Sequence, residues 1–218
     1  ETPALSRVRG TALITGGTGG IASHLARWLV TERGAKRLVL VSRRGEAAPG
    51  AGLLSAELQA LGADVLLVAG DVGDAGALRL AIELASERAE LPLSEVYHLA
   101  GSLDDGLLGA LTEARFEKVL RPKLTGALHL HRLTESLTLD AFVLFSSLVG
   151  MVGSPGQGNY AAANAGLDAL VIHRRQRGLP AASVAFGPWA EGGMVDAAIE
   201  ARLRQIGLTP MAPQTALR

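Results

Sequence analysis

Six short apolar runs punctuate the chain, at residues 11–16, 37–42, 64–71, 95–100, 141–147 and 182–187, all rich in Val, Leu or Ile. Their apolar residues follow one another instead of alternating with polar ones, as in strands buried on both faces of a parallel sheet. Between them lie longer amphipathic stretches, 20–33, 53–61, 75–87, 112–136 and 157–176, which read as helices. Strand and helix in alternation predict repeated βαβ units, and hence an α/β fold whose parallel sheet is covered by helices on both faces. Gly34, Gly62 and Gly178 each stand just past a helical stretch, where a left-handed terminating residue is favoured. The turn-forming stretch 45–50 is too short to be more than a loop, and no repeat or low-complexity linker divides the chain. A single domain over residues 1–218 is expected.

Composition narrows the function classes. With 218 residues, 48% of them hydrophobic, the chain can bury a core without disulfides or metals. It has no cysteine, which excludes thiol catalysis and cysteine-ligated zinc and is compatible with a reducing cytosol; a cytoplasmic location is expected. Lys and Arg (21) balance Asp and Glu (21), so no net field points to nucleic acid or an anionic membrane. No apolar run reaches the roughly 18 residues of a bilayer span, and residues 1–10 do not resemble a signal peptide. His24, His98, His129, His131 and His173 form no metal-ligand pattern, so no metal is expected and surface or packing roles are their default.

The first predicted strand runs into Thr15-Gly16-Gly17-Thr18-Gly19-Gly20-Ile21-Ala22, with a helix beginning near Gly20. Glycines there let the backbone turn tightly and approach a pyrophosphate, which the helix N-terminus stabilises. No Gly-Lys-Ser/Thr follows, which excludes a P-loop. The turn thus predicts a Rossmann-like doubly wound sheet in three α/β/α layers, with Gly16, Thr18, Gly19, Gly20 and Ile21 on a dinucleotide. The second strand ends in Ser42-Arg43-Arg44, where an NAD-binding fold places a carboxylate on the ribose. Guanidinium donors match a 2′-phosphate, so NADPH is favoured, with Arg43 as first choice and Ser42 assisting.

Tyr160 lies thirteen residues after Ser147 and one helical turn before Asn164. A Ser/Tyr pair at this spacing resembles the catalytic pair of the short-chain dehydrogenase/reductase superfamily, where a lysine four residues past the tyrosine depresses the phenol's pKa. Here that position is Asn164, and Lys123 is the obvious supplier of the charge. This exchange of Lys and Asn resembles the ketoreductase domain of modular polyketide synthases. The superfamily pattern Thr-Gly-x-x-x-Gly-x-Gly is matched through Gly20, with Ala22 replacing the last glycine. An unperturbed phenol titrates near 10, so Tyr160 needs a nearby cation to protonate an alkoxide, and Lys123 is expected to provide it. Ser147 would polarise the ketone oxygen, and Asn164 would order a water or the lysine. Ser146 has the wrong spacing. The resemblance further implies that Asp71 and Val72 cap the adenine, although Asp71 could instead be the N-cap of the next helix, and that Ala100, Gly101 and Pro188 line the cofactor site.

The same resemblance bears on substrate and handedness. One stereochemical class carries tryptophan eight residues before the tyrosine, where this chain has Val152; the other carries the Leu-Asp-Asp found here as Leu103-Asp104-Asp105. Pro155 and Asn159 match that second, B-type class. It implies a D-β-hydroxyl and an acyl-phosphopantetheine arm entering from the Leu-Asp-Asp side, while Ala163 resembles domains that do not epimerise an α-methyl group. Asp104 and Asp105 have the alternative reading of a turn or N-cap pair. Trp189 and Met194, in a glycine-rich segment that leads into a predicted helix over 195–206, would border the substrate as part of a lid; Trp189 would alternatively pack in the core. The implied activity is NADPH-dependent reduction of a β-ketoacyl thioester held on acyl carrier protein, with other synthase domains as partners. Related domains carry an additional Rossmann-like structural half, so the chain is expected to be the catalytic half of a larger unit. A free-standing short-chain ketone reductase and a non-reducing NADPH-binding scaffold are the competing readings.

Overall fold

The computed structural model describes residues 6–193, 207 and 209–217. Six parallel strands, β1 (Thr11–Thr15), β2 (Arg37–Ser42), β3 (Asp64–Ala69), β4 (Leu93–His98), β5 (Ala141–Ser147) and β6 (Ala182–Phe186), form one sheet in the order β3-β2-β1-β4-β5-β6. The chain works outward from β1 to one edge, then returns to start the other half at β4. This reversal leaves a crevice beyond the carboxyl ends of β1 and β4, where ligands bind in such folds.

Helices α1 (Gly20–Thr31) and α2 (Ala51–Ala60) cover one face, and α3 (Ala75–Ser86), α5 (Gly126–Thr134) and α7 (Gly158–Gln176) the other. Alternate residues of each strand feed two cores. Ala12, Ile14, Leu38 and Leu40 pack with Leu25, Leu29 and Leu58 on one side; Leu13, Val39, Val96 and Leu144 pack with Leu78, Leu130 and Leu167 on the other. Each such leucine is 0–2% exposed, a burial that contributes roughly 1.5–3 kcal/mol. Ala22 is buried in the first core, which explains why a small residue other than glycine suffices there. Gly34, Gly62 and Gly178 all have positive φ.

The predicted helix over 112–136 is three segments: α4 (Glu113–Leu120), a π-helical turn (Arg121–Thr125) and α5. Pro122 has no N–H to donate back to the Lys118 carbonyl, and the Ser102 hydroxyl donates there instead at 2.7 Å. The short helix α6 (Val149–Val152), after β5, was not apparent from periodicity. At the amino end of the sheet Arg33 pairs with the buried Glu95 at 2.8 Å, and the Tyr97 hydroxyl donates to the same carboxylate at 2.5 Å. Among the described residues no helix is long and apolar enough to cross a membrane.

Candidate active site

The glycine turn meets the β4 loop at the sheet's switch point. Gly16 takes φ +67°, and a Cβ there would stand 2.9 Å from the Ala100 nitrogen, so only glycine lets the two backbones close. A cleft of about 500 Å³ opens beside them, lined by Gly16, Thr18, Gly19, Gly20 and Ile21, by Ser42, Arg43 and Arg44, and by Asp71, Val72, Ala100, Gly101 and Arg121. No side chain caps α1, which leaves its N-terminal N–H groups to the turn. One of them, Ile21 N–H, donates to the Gly192 carbonyl at 3.1 Å, and a Cβ on Gly20 would fall 2.2 Å from Gly192 Cα. The segment after β6 therefore closes on the turn, and an anion at Ile21 must displace that carbonyl.

Of the cleft's polar side chains, Ser42 accepts from Gly45 N–H at 3.1 Å, and Arg43 is exposed at the cleft's rim. Asp71 does not cap the following helix: Asp74 does, accepting from Gly76 N–H at 2.8 Å. Asp71 instead accepts from Gly73 N–H at 2.8 Å and pairs with Arg121 at 3.1 Å, across the cleft wall from the π turn. Val72 is buried beneath it. A cleft with side-chain-free backbone at the glycine turn, a helix N-terminus without a side-chain cap and guanidiniums beyond β2 fits a phosphate-bearing dinucleotide.

Next to the cleft, where a Cβ on its lining residue Gly101 would stand 3.7 Å from Lys123 Nζ, Tyr160 and Asn164 share one face of α7, and Ser147 ends β5. Ser146, its neighbour, turns toward α7, its hydroxyl 3.4 Å from the Asn164 main-chain oxygen. Ser147 Oγ accepts from Val149 N–H at 3.2 Å, so its own proton is free to donate. Asn164 is fully buried; its amide donates to the Tyr160 carbonyl at 2.8 Å, while its Oδ1 has no partner. Lys123 is 4% exposed, 5.3 Å from the centre of the Tyr160 ring, and its ammonium donates to the Phe145 carbonyl at 3.0 Å. Burial lowers its pKa to about 8, and the Asp168 carboxylate pulls upward.

The shift of the Tyr160 phenol comes from groups other than Lys123. Burial raises the phenol's pKa above its ordinary value, helped by the Asp105 charge, and hydrogen bonding from Asn164 and Ser147 pulls it back only in part. The lysine's ammonium is turned to a main-chain oxygen of β5. Sequence reasoning also passed over Asp168, although Tyr160, Asn164 and Asp168 recur at four-residue intervals and so share a helix face.

The Leu103-Asp104-Asp105 loop is laced to the start of α7. Asp104 is neither a turn nor an N-cap residue: it pairs with Arg115 at 2.7 Å and Lys118 at 3.0 Å, and these cations, Lys118 first, hold its carboxyl below its usual pKa. Asp105 accepts from Gln157 at 2.9 Å, and Leu103 is half-buried. Asn159, fully buried, donates to the Asp104 carbonyl, whereas Pro155 is exposed. Trp189 packs in the core, 4% exposed and edge-on to Phe186 at 5.1 Å, so its bulk does not border an open substrate site. Pro188 sits just beyond β6, its carbonyl accepting from Met211 N–H at 2.8 Å. Met194 and the predicted helix over 195–206 lie outside the described residues.

Sheet order, glycine turn and the Ser147, Tyr160, Lys123, Asn164 group together define a Rossmann-like fold of the short-chain dehydrogenase/reductase type. Residues 10–191 match the KR domain family. Polyketide synthase GfsB of Streptomyces halstedii is 53% identical over 208 residues, which are 95% of this chain and 4% of that protein. Pikromycin polyketide synthase component PikAII of Streptomyces venezuelae is 50% identical over 215 residues, 95% of this chain and 5% of that one. Solved structures agree: A-type ketoreductases from a modular polyketide synthase superpose with a TM-score of 0.93 at 46% identity, covering 100% of this chain and 46% of theirs. The first ketoreductase of the tylosin synthase superposes at 0.89 with 47% identity, covering 99% and 46%. The chain belongs to the KR domain family, and the solved structures it resembles are ketoreductases from polyketide synthases, in a fold of the kind that binds nicotinamide cofactors. It spans only a small fraction of the curated relatives' length.

Proposed function

We propose that the domain reduces a β-ketoacyl thioester, carried on the phosphopantetheine of an acyl carrier protein, to the D-β-hydroxyacyl thioester with NADPH, in the cytoplasm and within a multidomain polyketide synthase. The observation that carries the reading is the convergence of Ser147, Tyr160, Asn164 and the buried Lys123 beside a glycine-turn cleft rimmed by Arg43. Gly16, Thr18, Gly19, Gly20 and Ile21 would hold the pyrophosphate, Arg43 and Ser42 the 2′-phosphate, Asp71 and Val72 the adenine, and Ala100, Gly101, Lys123, Tyr160 and Pro188 the nicotinamide end. The bound nicotinamide supplies the hydride. Ser147 donates to the ketone oxygen and stabilises charge developing on it. Tyr160, whose raised pKa keeps it protonated, gives its proton to that oxygen, and the Lys123 ammonium then steadies the tyrosinate. The buried, unpartnered Asn164 Oδ1 supports a role for Asn164 in ordering a water that resupplies the proton.

The B-type assignment rests on Leu103-Asp104-Asp105, Pro155, Asn159 and Val152, not on the fold, which A-type domains share. Leu103, Asp104, Asp105, Pro155, Asn159 and Met194 remain the proposed substrate side, with Asp104 and Asn159 acting by shaping its walls. Purified protein given NADPH and a β-ketoacyl N-acetylcysteamine thioester is expected to oxidise the cofactor, and Tyr160→Phe to abolish this. Chiral chromatography is expected to return the D-alcohol. Equal rates for wild type and Tyr160→Phe overturn the mechanism, an L-product overturns the subtype, and NADPH binding without turnover favours a scaffold.

A further inference from the structure

His98 closes β4, is 1% exposed, and has no part in the chemistry proposed above. Its Nδ1 lies 2.6 Å from the hydroxyl of Thr15, the last residue of β1, and its Nε2 lies 2.7 Å from the main-chain oxygen of Lys123. A carbonyl can only accept, so Nε2 carries a proton and donates; in the neutral ring Nδ1 then accepts from Thr15. Burial favours that neutral ring, its pKa lowered to about 4. The imidazole fits closely: a Cβ on Gly126 would approach its Cε1 to 3.1 Å.

Lys123 needs such a support. It sits in the π turn between α4 and α5, after a proline that interrupts the helical hydrogen-bond ladder. From there its side chain must reach the Phe145 carbonyl on β5, beside Tyr160. We infer that His98 is a positioning residue: by holding the Lys123 carbonyl against the end of β1, it sets where the Lys123 ammonium stands relative to Tyr160. Thr15 fixes the ring, the ring fixes the main chain, and the main chain aims the lysine. The consequence for reduction rests on the role proposed for Lys123, but the link between His98 and Lys123 does not.

The test therefore reads Lys123 directly. Acetic anhydride labelling of Lys123 is followed against pH by mass spectrometry in the intact protein, with NADPH-dependent turnover measured in parallel. Wild-type Lys123 is expected to titrate near 8. His98→Phe, which keeps an aromatic ring but removes the donor, is expected to shift this profile and lower turnover by about tenfold or more. His98→Gln, whose amide N–H can again donate to the Lys123 carbonyl, should recover most of both. An unshifted profile in folded His98→Phe, or a Gln variant no closer to wild type than Phe, overturns the inference. Should His98→Phe not fold, Thr15→Val keeps the volume and releases Nδ1, and an unchanged Lys123 profile in that variant overturns it equally. Lys123→Ala turning over at the wild-type rate would instead remove the proposed role of Lys123, leaving the labelling profile to judge His98.

Discussion

The side-chain amide of Asn159 donates to the Asp104 carbonyl at 2.8 Å, while its Oδ1 accepts the N–H of Tyr160 at 2.8 Å. One buried side chain thus joins the Leu-Asp-Asp loop to the residue proposed as proton donor. Asn159→Ala leaves the Asp104 carbonyl without this donor and is expected to cost about 1–3 kcal/mol of stability. Because the loop borders the proposed substrate entrance, KM for the acyl thioester should rise more than kcat falls. Urea unfolding and steady-state kinetics check the two effects.

The basic limb of the pH profile should belong to Lys123. Tyr160 stays protonated because its pKa is raised, whereas Lys123, lowered to about 8 by burial, loses its charge as pH climbs through that value. Turnover is expected to fall above about pH 8. Asp168→Asn removes the carboxylate that pulls the lysine upward and should move this limb to lower pH, as kcat measured across pH 6 to 10 will show.

Acid should weaken the fold through His98. Its pKa is about 4 in the folded protein against 6.5 ordinarily, so folding opposes its protonation. The stabilisation is complete above pH 6.5 and is lost as pH falls toward 4, a contribution of roughly 3 kcal/mol. His98→Gln cannot titrate, and its urea midpoint should fall less than that of wild type between pH 7.5 and 4.5.

At the opposite end of the sheet, Glu95→Ala strands the Arg33 guanidinium beside the Tyr97 hydroxyl. Removing one partner of a buried pair is expected to destabilise by about 3–5 kcal/mol. Thermal unfolding measures the loss. Since Arg33, Glu95 and Tyr97 do not line the cleft, turnover per folded molecule should be unchanged.

The strands were legible because burial on both faces writes an unbroken apolar run into each of them; five of the six begin at the residues read from the pattern, and β4 begins two residues earlier, at Leu93. The long helix over 112–136 was legible only as a helical stretch. Its division at the π turn depends on Pro122 and on a compensating hydroxyl from Ser102, twenty residues away in sequence, which no periodicity records.

The sequence by itself determined what is local: the glycine turn between β1 and α1, the arginines after β2, and the i, i+4 placement of Tyr160 and Asn164 on one helix face, since each follows from backbone geometry over a few residues. Only the tertiary structure decided what arises between distant segments. It turned the Lys123 ammonium to Phe145, engaged Asp104 with Arg115 and Lys118, buried Trp189 against Phe186, and placed His98 beneath Lys123. Burial and hydrogen-bond partners depend on how the sheet brings its strands together, and the winding outward from β1 and back to β4 is what joins Thr15, His98 and Lys123 at one point.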